Sequence, residues 1–190
     1  MTQADILSGG FAEAPQQAAR AFRACLEAMA RPGRIQRIEG AHPPAPLSPA
    51  AGAVLLTLVD STTPLCLAPS HDLPAVRQWI AFHCGAPLAE PAQAVFALGT
   101  WEALQPLSAF PIGTPQYPDR STTLIVEMNA LSPPNAVLTG PGIEDRQPAR
   151  LPEIDSLIAN RELFPLGHDF FFTAGFEIAA LPRTTEPEAL

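Results

Sequence analysis

The amino-acid sequence predicts an α/β fold, a single α/β/α layered domain with a mixed sheet over residues 1–185, followed by a frayed C-terminal tail at 186–190. Three observations predict it. Apolar stripes of helical period alternate with short apolar segments through most of the chain, the pattern of helices laid on a sheet. The length, 190 residues, suits one domain, and a domain of that size hides roughly 70% of the surface its unfolded chain exposes. The 23 prolines are scattered between apolar segments and act as punctuation, with no internal repeat.

The elements follow in order. Pro15 to Ala30 reads as a helix: Pro15 suits a first turn, Phe22, Cys25, Leu26 and Met29 form one stripe, and Pro32-Gly33 ends it. Ser48-Pro49 opens a second helix that ends near Asp60, with Ser48 as N-cap. Leu65 to Ala68 is a short strand. Asp72 is the expected N-cap of a third helix carrying Val76, Trp79, Ile80 and His83, which Gly85 terminates. Ala94 to Leu98, the β-branched Thr122 to Met128, and Ala136 to Thr139 read as strands. A helix from Pro152 to Leu163 precedes two last strands, Phe170 to Phe172 and Phe176 to Leu181. This layout places Phe22, Leu26, Leu56, Trp79, Ile125 and Leu157 in the core.

Composition narrows the chemistry. Apolar residues make up 47% and charged residues 16%, the formal net charge is −8, and the isoelectric point is near 4.9. An acidic chain repels a phosphate backbone, so nucleic acid is not an expected partner. All eleven basic residues are arginine and lysine is absent. A PLP Schiff base and the lysine of a P-loop are therefore excluded. Any anion must be held by Arg, backbone N–H groups or hydroxyls. Cys25, Cys66 and Cys84 form no C-x-x-C pair and no closed disulfide set, which favours a reducing compartment. No histidines show metal-ligand spacing, so neither a metal nor a cofactor is expected. Met1 to Phe11 lacks a basic region followed by an apolar run, and Ala53 to Val59 is too short to span a bilayer. A cytoplasmic location without membrane attachment is the expectation.

Three segments are candidate ligand contacts. Gly140-Pro141-Gly142 follows a predicted strand, where glycine lets a ligand approach the backbone or simply makes a tight turn. Arg183 and Thr184 follow the last strand, either as an oxyanion clamp or as an arginine fastening the C-terminus to a carboxylate. Gly140, Gly142, Arg183 and Thr184 would then converge on one anion pocket beyond strand carboxyl ends. Asp60, before Ser61-Thr62-Thr63, either orients a ligand hydroxyl or bonds to its own turn. The adjacent His83 and Cys84 diverge on a helix and form no dyad. His42 and His71 sit in loops without sequence neighbours to work with, and His168 merely adjoins Asp169. The two Phe-Pro-x-Gly segments at Phe110 and Phe164 read as packing and turns.

One ordered set of segments resembles a known family. It comprises Phe22-Arg23 with Ala28-Met29-Ala30-Arg31-Pro32-Gly33, Leu58-Val59-Asp60-Ser61-Thr62-Thr63 and Phe110-Pro111-Ile112-Gly113-Thr114. It continues with Tyr117-Pro118-Asp119-Arg120-Ser121-Thr122, Leu138-Thr139-Gly140-Pro141-Gly142-Ile143, Phe164-Pro165-Leu166-Gly167-His168-Asp169 and Leu181-Pro182-Arg183-Thr184-Thr185. Together they resemble the H subunit of the bacterial carbon–phosphorus lyase machinery, which degrades phosphonates. Asp119 and His168 depart from the pattern, where Glu and an aliphatic residue are expected. The resemblance implies a reduced PLP-dependent transferase fold without PLP. It implies a homodimer that joins the G, I and J subunits and, with G, I and L, couples an alkylphosphonate to the ribose of ATP. That step releases adenine and leaves a ribose 1-phosphonate 5-triphosphate. A phosphate or phosphonate is the implied ligand, and no catalytic residue is carried over. The alternatives from the residues alone are an independent enzyme acting on a small phosphorylated metabolite, or an anion-binding regulatory module.

Overall fold

A computed structural model describes residues 8–190; Met1 to Leu7, and with them most of the segment read as lacking a leader, lie outside the described residues. Helices α1 (Ala14–Ala30), α2 (Pro49–Leu58), α3 (Pro74–His83) and α4 (Ile154–Glu162) accompany nine strands. The strands are β1 (Gln36–Arg37), β2 (Leu65–Leu67), β3 (Phe96–Thr100), β4 (Thr123–Glu127), β5 (Ala136–Thr139), β6 (Gln147–Ala149), β7 (Asp169–Ala174), β8 (Glu177–Leu181) and β9 (Glu186–Ala189). Six form a mixed sheet in the order β1-β8-β7-β4-β3-β2. β2, β3, β4 and β7 are parallel, and β8 runs antiparallel to both its neighbours. The α/β class and the mixed sheet therefore hold.

Period-2 alternation divides the core between the two faces of this sheet. Leu98, Ile125, Phe171 and Ile178 face α1, α2 and α3. Ala97, Leu124, Val126, Phe170 and Phe172 face the other way, onto Trp101, Leu104, Leu138 and Leu157. That second layer is not purely helical. Besides α4 it contains a three-stranded antiparallel sheet, β6-β5-β9, centred on β5.

Two expectations about α1 and the tail are corrected. Phe22 and Leu26 are 53% and 55% exposed. The buried stripe of α1 is instead Ala21, Cys25 and Ala28, rotated from the expected one. Small residues win because α1 packs against the equally small Ala50, Ala51 and Ala53 of α2, and close helix approach leaves no room for Phe or Leu. Leu56 is only partly buried, whereas Trp79, Ile125 and Leu157 lie in the core. Residues 186–189 do not fray. They form β9, paired antiparallel with β5, with Pro187 buried between the exposed Glu186 and Glu188. Arg161 and Arg146 tie those two glutamates at 3.1 and 2.8 Å.

Proline and serine fix the helix starts. Ser48 caps α2, its Oγ accepting the Ala51 N–H at 3.0 Å. Asp72 does not cap α3: Pro74 occupies the first turn, Leu73 takes the cap position, and Asp72 pairs with Arg77. Gly85, at φ +65°, ends α3 as expected, its N–H reaching the Ile80 carbonyl at 3.0 Å.

Candidate functional site

The structure commits each sequence-selected residue to protein partners, and it brings Gly140 against Thr184. Arg183 follows β8, but β8 is antiparallel, so its end lies beside Asp169 at the amino end of β7. There its Nε donates to Asp169 Oδ1 at 3.2 Å and its Nη2 to Asp169 Oδ2 at 2.5 Å. Nη2 also reaches Ser121 Oγ at 2.5 Å, and Nη1 reaches the Pro118 carbonyl at 2.7 Å. With its side chain 12% exposed, this guanidinium serves as a rivet between β7, β8 and the loop before β4. Gly140, at φ +125°, lies against the backbone of Thr184 and Thr185; a Cβ there would come within 3.2 Å of the Thr184 carbonyl oxygen. Gly142, at φ +83°, meets a different neighbour: a Cβ would lie 2.0 Å from the Ala30 carbonyl oxygen at the end of α1. Both glycines serve close backbone packing. Asp60 Oδ1 accepts from the Thr62 N–H and hydroxyl, both at 2.8 Å, and from the Thr63 hydroxyl at 2.9 Å. These bonds, that of the Thr62 hydroxyl first, hold its carboxyl below the usual range.

A polar cluster that sequence reasoning missed lies at the opposite, carboxyl end of the parallel strands, where open α/β sheets place ligands. Glu127 closes β4 with its side chain 9% exposed. Its Oε1 accepts the Ser48 N–H at 2.7 Å and its Oε2 the Thr173 hydroxyl at 3.0 Å. Thus Glu127 performs across the sheet the task a local third-residue glutamate performs in a capping box, where this chain has Ala51. Its negative end also faces the N-terminus of α2 favourably. Burial nonetheless pushes the Glu127 carboxyl up, against the lowering by Ser48 and Thr173.

His71 packs behind Glu127, its Nε2 4.0 Å from Oε1 and without a hydrogen-bond partner. On its other side Nδ1 is 2.9 Å from Ser70 Oγ, which itself accepts the Thr100 N–H at 3.1 Å. Burial pushes the imidazole pKa down, so the ring is neutral at pH 7. A cavity of about 320 Å³ opens over this edge, lined among others by Thr100, Glu127, Asn129, Asn135 and Arg150. The usable signal was positional. Ser70-His71 follows the end of β2 with two residues between, and Glu127 ends β4, so a parallel β2-β3-β4 order brings them to one edge.

Other nucleophile candidates are quenched by burial, which pushes the Cys25 and Cys84 thiols up to about 12 and raises that of Cys66. His168, expected to be a mere neighbour of Asp169, is buried, its Nδ1 3.2 Å from the Thr122 carbonyl oxygen and its pKa lowered by burial. Among the described residues no group of three or more His, Cys, Asp or Glu is arranged to hold a metal ion. Among them, too, no helix is long and apolar enough to cross a membrane.

Comparison with known proteins supplies the context for this geometry. The family model described as bacterial phosphonate metabolism protein (PhnH) matches residues 9–188. A relative from Rhizobium meliloti (strain 1021), alpha-D-ribose 1-methylphosphonate 5-triphosphate synthase subunit PhnH, is 43% identical over 197 residues, covering 98% of each chain. A second, the putative C-P lyase subunit protein HtxG of Stutzerimonas stutzeri, is 29% identical over 180 residues, covering 91% of this chain and 86% of its own.

Proposed function

The chain belongs to the PhnH family of bacterial phosphonate metabolism proteins, and from that premise we propose that it acts as a subunit of the carbon–phosphorus lyase machinery in phosphonate catabolism. In this reading it works with the G, I and L subunits to form ribose 1-methylphosphonate 5-triphosphate from ATP and methylphosphonate. It also joins G, I and J in a core complex. The observation that carries the reading is the 43% identity to a synthase subunit over 98% of both chains.

The chain's own part is structural and not catalytic. Supporting this, Cys25 and Cys66 are buried and Cys84 half-buried, with every thiol raised, Arg183 is consumed by protein acceptors, and lysine is absent. A homodimer is supported by Phe22 and Leu26, one helical turn apart on α1 and more than half exposed. A two-fold, self-complementary patch around them would bury roughly 2,000 Å² or more in total. The reading as a reduced PLP-dependent transferase fold draws support from the six-stranded sheet, in which β8 alone opposes the other strands. Three free cysteines fit a cytoplasmic setting.

A strain lacking the gene should not grow on methylphosphonate as sole phosphorus source, and the tagged chain should co-purify G, I and J. The purified chain alone should not turn over ATP with methylphosphonate. Sedimentation should show a dimer that Phe22→Glu with Leu26→Glu converts to a monomer. Normal growth of the deletion strain would remove the subunit role; a monomeric wild type would remove the dimer alone.

A further inference from the structure

Arginine supplies all the strong side-chain cations of this chain. Six of the eleven pair with carboxylates: Arg31, Arg37, Arg77, Arg146, Arg161 and Arg183. Arg120 lies over the Tyr117 ring. The remaining four, Arg20, Arg23, Arg34 and Arg150, have no side-chain hydrogen bond, ion pair or ring contact among the described residues, and of these Arg20 shares a cavity with Arg37. In a molecule of net charge −8, an uncommitted guanidinium beside other donors is a feature to explain.

Arg20 lines a cavity of about 630 Å³ between α1 and the edge strand β1, together with Gln17, Arg37, Glu39, His42 and Phe176. Arg37 is already oriented. Its Nε pairs with Glu39 and its guanidinium carbon sits 5.2 Å from the centre of the Phe176 ring, which leaves both terminal Nη groups as donors. Gln17 is oriented too: its Oε1 accepts the Glu13 N–H at 2.7 Å, which turns its amide nitrogen into the remaining donor. Gly40, at φ +106°, presses its backbone against that nitrogen, and a Cβ there would lie 2.8 Å from it. Against these donors stands one carboxylate, Glu39, which Arg37 neutralises.

We propose that this cavity binds a small molecule bearing phosphate or phosphonate groups, gripped by Arg20 and Arg37. Forked guanidinium donors match the geometry of tetrahedral phosphorus oxyanions and remain charged at any physiological pH. The volume lies within the roughly 300–1,000 Å³ of small-molecule sites. A lone phosphonate group fills only part of it, so the ligand is a phosphorylated sugar or a polyphosphate. The ligand class rests on the phosphonate-processing role above, but its test is separate.

Calorimetric titration of the full, purified chain with tripolyphosphate, methylphosphonate and sulfate tests the proposal. Tripolyphosphate should bind saturably at one site and sulfate should not. Arg20→Gln and Arg37→Gln should each weaken it about tenfold or more, the loss of a charge-assisted contact. Arg23→Gln, on the same helix but outside the cavity, should leave it unchanged. Methylphosphonate binding as tightly as tripolyphosphate would assign the site to the phosphonate group; weaker binding would assign it to the phosphate chain. Should Arg20→Gln fail to fold by circular dichroism, Gln17→Glu, which adds a carboxylate to the cavity, must weaken binding instead. Absence of saturable heat with every phosphorus probe, or equal losses in Arg20→Gln and Arg23→Gln, would overturn the proposal. Growth and co-purification are unaffected by that failure.

Discussion

The two ends of the parallel strands treat their charged groups in opposite ways. At the amino end, Arg183 and Asp169 form a forked ion pair, and the guanidinium's remaining bonds go to Ser121 and to the Pro118 carbonyl. At the carboxyl end, the Glu127 carboxylate caps a distant helix while the nearby His71 Nε2 has no hydrogen-bond partner. The difference separates saturation from readiness. An arginine whose donors are spent fastens elements, however much its sequence context suggests an anion clamp. A buried imidazole whose Nε2 stands 4.0 Å from a carboxylate already bonded to Ser48 and Thr173 keeps one ring nitrogen uncommitted.

Breaking the amino end gives the largest expected effect. Arg183→Ala strips Asp169, a quarter exposed, of its guanidinium and releases the loop around Pro118. Removing one partner of a largely buried pair costs about 3 kcal/mol. Urea denaturation should show that loss as a lower midpoint, with anion binding to the α1–β1 cavity unchanged. Arg183→Lys should recover only a part, because an ammonium cannot reproduce the fork on both Asp169 oxygens. A neutral Arg183→Ala would erase the contrast between the two ends.

The carboxyl end comes next. Glu127→Ala orphans the Ser48 N–H and leaves the Thr173 hydroxyl only its 3.4 Å bond to the Val126 carbonyl, a cost of about 2 kcal/mol, and loosens the start of α2. Thr173→Val, which leaves the Ser48 bond intact, should cost about half as much. Hydrogen exchange should report faster opening of the first turn of α2 in Glu127→Ala but not in Thr173→Val.

Much of this arrangement was legible in the chain. The helix starts at Pro15 and Ser48-Pro49 and the strand within Thr122 to Met128 were readable because proline, capping serine and β-branched runs act locally. The exposure of Phe22 and Leu26 was not, since it depends on α2 presenting alanines to α1. The tail was misread because Glu-Pro-Glu looks polar, although Thr185 and Pro187 alternate with Glu186 and Glu188 in the period of a half-buried strand. The setting of Arg183 was not legible for a topological reason. Arg183 does follow a strand, but whether that end is the ligand-bearing one depends on β8 running against β7. The Glu127–His71 approach joins residues 56 positions apart, and only the β2-β3-β4 order brings them together.

The smallest effect is the pH dependence of the carboxyl end, and its sign follows from the bonds around His71. The Ser70 oxygen accepts the Thr100 N–H, so its own proton is available to His71 Nδ1. The ring then carries its proton on Nε2, facing Glu127 Oε1. Burial depresses the folded-state pKa of His71 below 6.5, so the unfolded chain binds more protons just below that pH. The stability from the neutral ring is complete above pH 6.5 and is lost as pH falls through the folded value. Glu127 works in the reverse sense: its raised pKa means stability complete below 4.5 that is lost as pH rises through the folded value. His168 shares the direction of His71, so a single variant flattens the acid-side decline without abolishing it. In urea midpoints measured from pH 7.5 down to pH 5, the wild type should lose stability and His71→Gln should lose less. His71→Gln with His168→Gln should remove the decline and expose the opposing slope of Glu127. A double variant that still destabilises as steeply as the wild type would show that neither buried imidazole governs the acid limb.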